Sequence, residues 1–210
     1  FAPLFEIGLY DDKYARTVCQ DSADAWETVD VLQRENYLRL TFMNPQNGRA
    51  DGVRVICEAF CHPEQDRIAW KTRVTNVSER WAVREISYPA VPTRADGVVY
   101  TSTASGNVDE HFAAKSKVVP ARYPTGVRAP MAFAAFYDPV ALEEQKDAGN
   151  GLYLGIHDPE GCCKSFFTAA SALSRFGKFV CTYRPDYEKR PGNSFALPGE
   201  EIWQIFSGDW

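Results

Sequence analysis

The chain has 210 residues, of which 45% are hydrophobic and 13% aromatic, and 28 acidic side chains outnumber 23 basic ones for a net charge of −5. That apolar content suffices to bury a core and excludes a disordered chain, and the length suits one all-β domain. The scattered lysines and arginines exclude an electrostatic footprint for nucleic acid or an anionic membrane, and no apolar run approaches the roughly 20 residues of a membrane helix.

The first strand is expected at Phe5 to Tyr10. Leu38, Leu40 and Phe42 then alternate with Tyr37, Arg39 and Thr41, as a half-buried strand requires, and another strand is expected at Val53 to Phe60. The cleanest alternation runs from Arg67 to Thr75, with Ile68, Trp70, Thr72 and Val74 facing one way. Asn76 to Glu79 reads as a turn and Trp81 to Tyr88 as the returning strand. There, the three-residue spacing of Val83 and Ile86 predicts a β-bulge, and Pro89 and Pro92 are expected to end the strand.

Between Ala95 and Gly126 periodicity fades, and a long irregular connection of the kind tied to function is expected. Further strands are predicted at Met131 to Tyr137, Leu152 to Ile156, Lys164 to Phe167, Lys178 to Tyr183 and Ile202 to Phe206. Val140 to Lys146 is read as a turn or two of helix within a hairpin insertion. No repeat at periods of 20 to 50 residues points to a propeller or solenoid. The fold expected is therefore all-β, a large antiparallel β-sandwich with little helix, forming a single domain over residues 1–210.

Six cysteines (Cys19, Cys57, Cys61, Cys162, Cys163 and Cys181) are too few for a disulfide-built scaffold and are expected as free thiols, which slightly favours a cytoplasmic setting. Cys57, Cys61, His62 and the pair Cys162 and Cys163 lack finger-like spacing, so no metal and no cofactor is expected. Asn76-Val77-Ser78 fits the glycosylation acceptor pattern, which matters only in a secreted eukaryotic chain.

Three stretches together resemble a family of bacterial glycoside-hydrolase-like proteins. They are Ile68 to Asn76 with Ile86-Ser87-Tyr88-Pro89, then Gly151-Leu152-Tyr153-Leu154-Gly155-Ile156-His157-Asp158-Pro159-Glu160-Gly161, and finally Phe206-Ser207-Gly208-Asp209-Trp210. The family has an N-terminal sandwich of the galactose-mutarotase type followed by a catalytic (β/α)8 barrel. The resemblance implies a non-catalytic sandwich domain whose partner is a C-terminal catalytic domain of the same polypeptide, with carbohydrate as a further partner. It also makes the Gly-Asp-Trp triplet, with Trp210, the junction to that barrel, whose carboxylates would carry the hydrolysis; no residue here inherits a catalytic role.

His157 and Asp158, at a strand end beside a turn, are candidates for a sugar-facing or barrel-facing edge. The simpler reading, which we prefer, has Asp158 open the turn through its side chain. Tyr123 closes the long connection, where it would reach a neighbouring domain or remain structural. The alternative function is a free-standing sugar-binding module or an aldose 1-epimerase-like enzyme, which needs a carboxylate base and a histidine acid across a sugar ring. His111, beside Asp109 and Glu110, would have to meet His157 for that chemistry. Trp26, Trp81, Tyr100 and Trp203 complete the aromatic residues able to stack on sugar faces, most of them expected in the core.

Overall fold

The computed structural model describes residues 3–11, 13, 16–23, 26–45, 50–94, 98–102, 108–112, 121–123, 132–137, 150–170, 176–183 and 191–207. The first half of the chain contributes β1 (Glu6–Asp11), β2 (Arg16–Asp21), β3 (Trp26–Arg34), β4 (Tyr37–Pro45), β5 (Val53–His62), β6 (Arg67–Asn76), β7 (Trp81–Arg94) and β8 (Val98–Ser102). The second half contributes β9 (Val108–Phe112), β10 (Ala121–Tyr123), β11 (Phe133–Tyr137), β12 (Asn150–His157), β13 (Lys164–Ala170), β14 (Phe176–Tyr183), β15 (Phe195–Ala196) and β16 (Glu200–Ser207).

These strands form two antiparallel sheets. The smaller has six strands in the order β10-β13-β14-β7-β1-β2; the larger has ten, running β3-β4-β5-β6-β16-β12-β11-β8-β9, with β15 also paired to β6. Among the described residues, helix is limited to a single 3-10 turn, Pro63–Gln65. The sandwich expected from period-2 patterning is the fold observed.

The core lies between the sheets. Ile7, Leu9, Val83, Ile86 and Tyr88 of the smaller sheet meet Val53, Val55, Cys57, Trp70 and Val74 of the larger, all of them buried. Each aliphatic side chain so enclosed contributes about 1.5–3 kcal/mol relative to exposure. Phe5, Trp26 and Phe42 pack edge-to-face at 5.0 to 5.9 Å between ring centroids, and Trp70 leans on Trp203 at 5.1 Å. Trp26, Trp81 and Trp203 therefore serve packing, not sugar stacking. A second cluster joins Val91 and Cys181 to Ala134 and Leu154.

The bulge predicted from Val83 and Ile86 is present. Gly8 pairs with Glu85 and Leu9 with Val83, which leaves Arg84 as the extra residue and allows both flanking side chains to point inward. The prolines do not end this strand. β7 continues through Pro89 and Pro92 to Arg94. Pro89 falls where the pairing with β14 shifts register, and β1 pairs no further along β7 than Ser87, so fewer donors are needed there.

The connection expected at Ala95 to Gly126 is likewise more regular than its sequence, for it contains β8, β9 and β10. β8 lies between β9 and β11, whereas β9 and β10 are short edge strands, which need little hydrophobic periodicity because only one neighbour constrains them. β3 escaped prediction for the same reason. It is an edge strand, and although Val29 and Val31 stand opposite Phe42 and Leu40, they remain 46% and 57% exposed. The helix read at Val140 to Lys146 lies outside the described residues.

All six cysteines are free thiols, and no cluster of three metal-ligating groups occurs among the described residues. Asn76 is wholly buried, its Nδ2 donating to the Trp81 carbonyl at 2.8 Å and its Oδ1 accepting from the Ser78 amide at 3.0 Å, so it cannot receive a glycan in the folded chain.

Candidate functional site

The sequence candidates His157 and Asp158 sit where β12 leaves the centre of the larger sheet. Leu154 and Ile156 stand opposite Trp203 and Glu201 of β16 on the core side, which turns Tyr153, Gly155 and His157 outward. The chain then reverses through Asp158-Pro159-Glu160-Gly161, with the Gly161 amide donating to the Asp158 carbonyl at 3.3 Å. Pro159 presets the second turn position, and Gly161 takes a φ of 66°.

Asp158 organises this turn. Oδ1 accepts the Glu160 amide at 2.8 Å and Oδ2 accepts the Cys162 amide at 2.8 Å. The Lys164 ammonium also pairs with Oδ2 and donates to the Cys162 carbonyl at 2.8 Å. Burial raises the Asp158 carboxyl, but Lys164 and the two amides outweigh it and hold the group below its ordinary value. The carboxylate is ionised, saturated and almost fully enclosed, so it is unsuited to exchanging a proton with substrate. Gly199, at a φ of +77°, lets the approach to β16 press on this corner; a Cβ there would meet the His157 carbonyl oxygen at 2.1 Å.

Behind the turn lies a buried polar group that the sequence reading missed. Glu201 pairs in register with Ile156 and with Trp70, facing the core. Burial pushes its carboxyl well above the ordinary range, opposed by Lys164. Burial also raises the thiols of Cys181 and Cys57 and the hydroxyl of Tyr88, with Glu201 adding to each shift. Among the described residues, Glu201 Oε2 makes no hydrogen bond. The Glu201 carboxyl is thus enclosed in the interior of the sandwich.

The remaining candidates do not converge on His157. His111 pairs with Val99 on β9, and β8 and β11 separate that strand from β12, a gap of roughly 14 Å at ordinary strand spacing. Tyr123 lies on β10, at an edge of the other sheet. The side chains of His111, Tyr123 and Tyr100 are outside the described set, as is Trp210 entirely. His157 itself is exposed, with Nε2 3.4 Å from the Tyr153 hydroxyl and Glu200 opposite on β16. The outward alternation Tyr153, Gly155, His157 was the signal that would have found this group.

The arrangement defines a two-sheet antiparallel sandwich whose buried carboxyls are tied to structure. No protein-family model matches the sequence, and no curated protein resembles it in sequence. Solved structures do share the fold. The α-galactosidase of Lactobacillus brevis superimposes with a TM-score of 0.68 at 13% identity, covering 97% of this chain and 29% of the enzyme. The GH36 α-galactosidase AgaB of Geobacillus stearothermophilus gives 0.67 at 10% identity, over 97% of this chain and 30% of its own. The α-N-acetylgalactosaminidase NagBb of Bifidobacterium bifidum, in complex with GalNAc, gives 0.59 at 12% identity, over 98% and 31%. This chain thus spans about 30% of the length of those glycoside hydrolases. Identity this low carries the fold, and the sandwich that the sequence resembles is the fold they share.

Proposed function

We infer that this chain is the non-catalytic N-terminal sandwich domain of a larger glycoside hydrolase, packing against a C-terminal catalytic (β/α)8 barrel of the same polypeptide. The observation that carries the reading is the coverage: nearly all of this sandwich matches under a third of each of several hydrolases that act on α-linked galactose or N-acetylgalactosamine by name. The chemistry of the chain supports it. Asp158 is locked in a turn, Glu201 is sealed in the core, and His111 and His157 lie on strands too far apart to share one sugar ring. That separation also weighs against the epimerase alternative.

Two measurements test the reading. The coding sequence beyond Trp210 is expected to continue into a barrel-length catalytic domain, and the 210-residue chain alone is expected to hydrolyse no aryl α-galactoside and to anomerise neither glucose nor galactose. Turnover that survives purification and disappears in His157→Ala would overturn the assignment.

A further inference from the structure

On the outer face of the larger sheet, the Tyr153 side chain does not stand away from its strand as strand side chains ordinarily do. It runs along β12 over Gly155 and ends beside His157. A Cβ added at Gly155 would lie 2.1 Å from the phenolic oxygen and 2.4 Å from Cζ, so only glycine leaves room for the ring to lie down. One face of the phenol is thereby turned to the backbone, on a half-buried residue.

The surroundings of this ring are mixed. Phe133, paired in register with Gly155, extends the apolar surface with its ring centroid 5.8 Å away and tilted by 27°. The His157 imidazole stands nearly upright against the Tyr153 ring, at 82° and 6.4 Å. Beyond it, Glu200 holds Lys71 at 3.1 Å, and both side chains are about half exposed, at 41% and 52%.

A flat apolar surface bounded by an upright ring and by charged donors and acceptors suits a neutral pyranose, which offers C–H groups on one face and hydroxyls around its edge. An anionic ligand would meet Glu200 and a net charge of −5. A peptide adding a strand would need an open edge, and β12 has β11 on one side and β16 on the other. We propose that Tyr153, Phe133, His157, Glu200 and Lys71 form a shallow binding site for a neutral pyranose sugar. The choice of a sugar rests on the carbohydrate reading above; the platform itself rests on this geometry.

A monosaccharide-sized ligand on a shallow site should bind with millimolar Kd. The test is an NMR titration of the full chain with galactose, glucose and raffinose, following the aromatic resonances of Tyr153 and His157. Saturable shifts at both rings are expected with at least one sugar. Tyr153→Ala should weaken binding roughly tenfold, whereas Tyr153→Phe, which keeps the ring, should retain it and vouch for the fold. Absence of saturable shifts at these rings with all three sugars, or unchanged affinity in Tyr153→Ala, would overturn the site. Saturable binding confined to other residues would also remove it while leaving the carbohydrate reading intact. Hydrolysis by the chain alone would instead overturn the domain assignment and leave the platform standing.

Discussion

The Lys164 ammonium and the Asp158 carboxylate pair beneath the turn that leaves β12, with their side chains only 2% and 1% exposed. Six residues apart in sequence, they tie the start of β13 to the end of β12 and so bind one sheet to the other. Replacing Asp158 by Ala removes the carboxylate from a buried ammonium and is expected to cost about 3–5 kcal/mol, read from urea unfolding. The double variant Asp158→Ala with Lys164→Met should recover much of that loss. Because the Asp158 carboxyl lies below its unfolded value, its contribution is present above about pH 4 and fades as pH falls further. A single variant as stable as the wild type would show that the pair does not anchor the turn.

Glu201 has the opposite sign. Its folded-state carboxyl is raised, chiefly by burial, so the group favours folding while it stays protonated and loses that advantage as pH rises above the unfolded value of about 4.3. Glu201→Gln is expected to stabilise the chain at pH 7 by on the order of 1–3 kcal/mol and to flatten the dependence of stability on pH above about 4. Equal pH slopes for variant and wild type would contradict a raised Glu201 carboxyl.

Deleting Arg84 should be far more damaging than truncating it. The exposed Arg84 guanidinium meets the Thr17 hydroxyl at 3.0 Å, and Arg84→Ala is expected to change stability by no more than about 0.5 kcal/mol. Deletion removes the bulge, so that either Val83 or Ile86, both fully buried, must turn to the wrong face. Loss of a cooperative thermal transition in the deletion variant alone is the expected outcome.

Asn76→Ala should destabilise the chain by about 1–3 kcal/mol, because it removes one partner from the buried Trp81 carbonyl and another from the Ser78 amide. In a glycosylating host, mass spectrometry of folded protein should find Asn76 unmodified despite its acceptor pattern. A glycan on Asn76 would mean that the turn between β6 and β7 opens.

Where one face of a strand is buried and two neighbours pair with it, the sequence was readable. β6 shows this, with Ile68, Trp70, Thr72 and Val74 inward as alternation requires, and the Val83 and Ile86 spacing disclosed even the bulge. β2, β3, β8, β9, β10 and the two-residue β15 were not foreseen, and of these β2, β3, β9 and β10 lie at a sheet edge. Legibility at the candidate site divided in the same way. Asp158 as turn opener followed from local chemistry, whereas the outward group of Tyr153, Gly155 and His157 was implied by the alternation but only His157 was singled out. The approach of Lys164 to Glu201 arises only when β13 and β16 are brought together from opposite sheets, which no local pattern encodes.

β16 lies between β6 and β12, so the larger sheet consists of two blocks, one from β3 to β6 and one from β8 to β12, that the last strand of the fold alone bridges. During vectorial synthesis both blocks leave the ribosome before their bridge does. Until residues 200–207 emerge, β6 and β12 each present an unpaired edge, a template for pairing with another nascent chain. Closure is therefore a late, long-range event, and the chain should depend on chaperone shielding during translation more than its ordinary composition suggests.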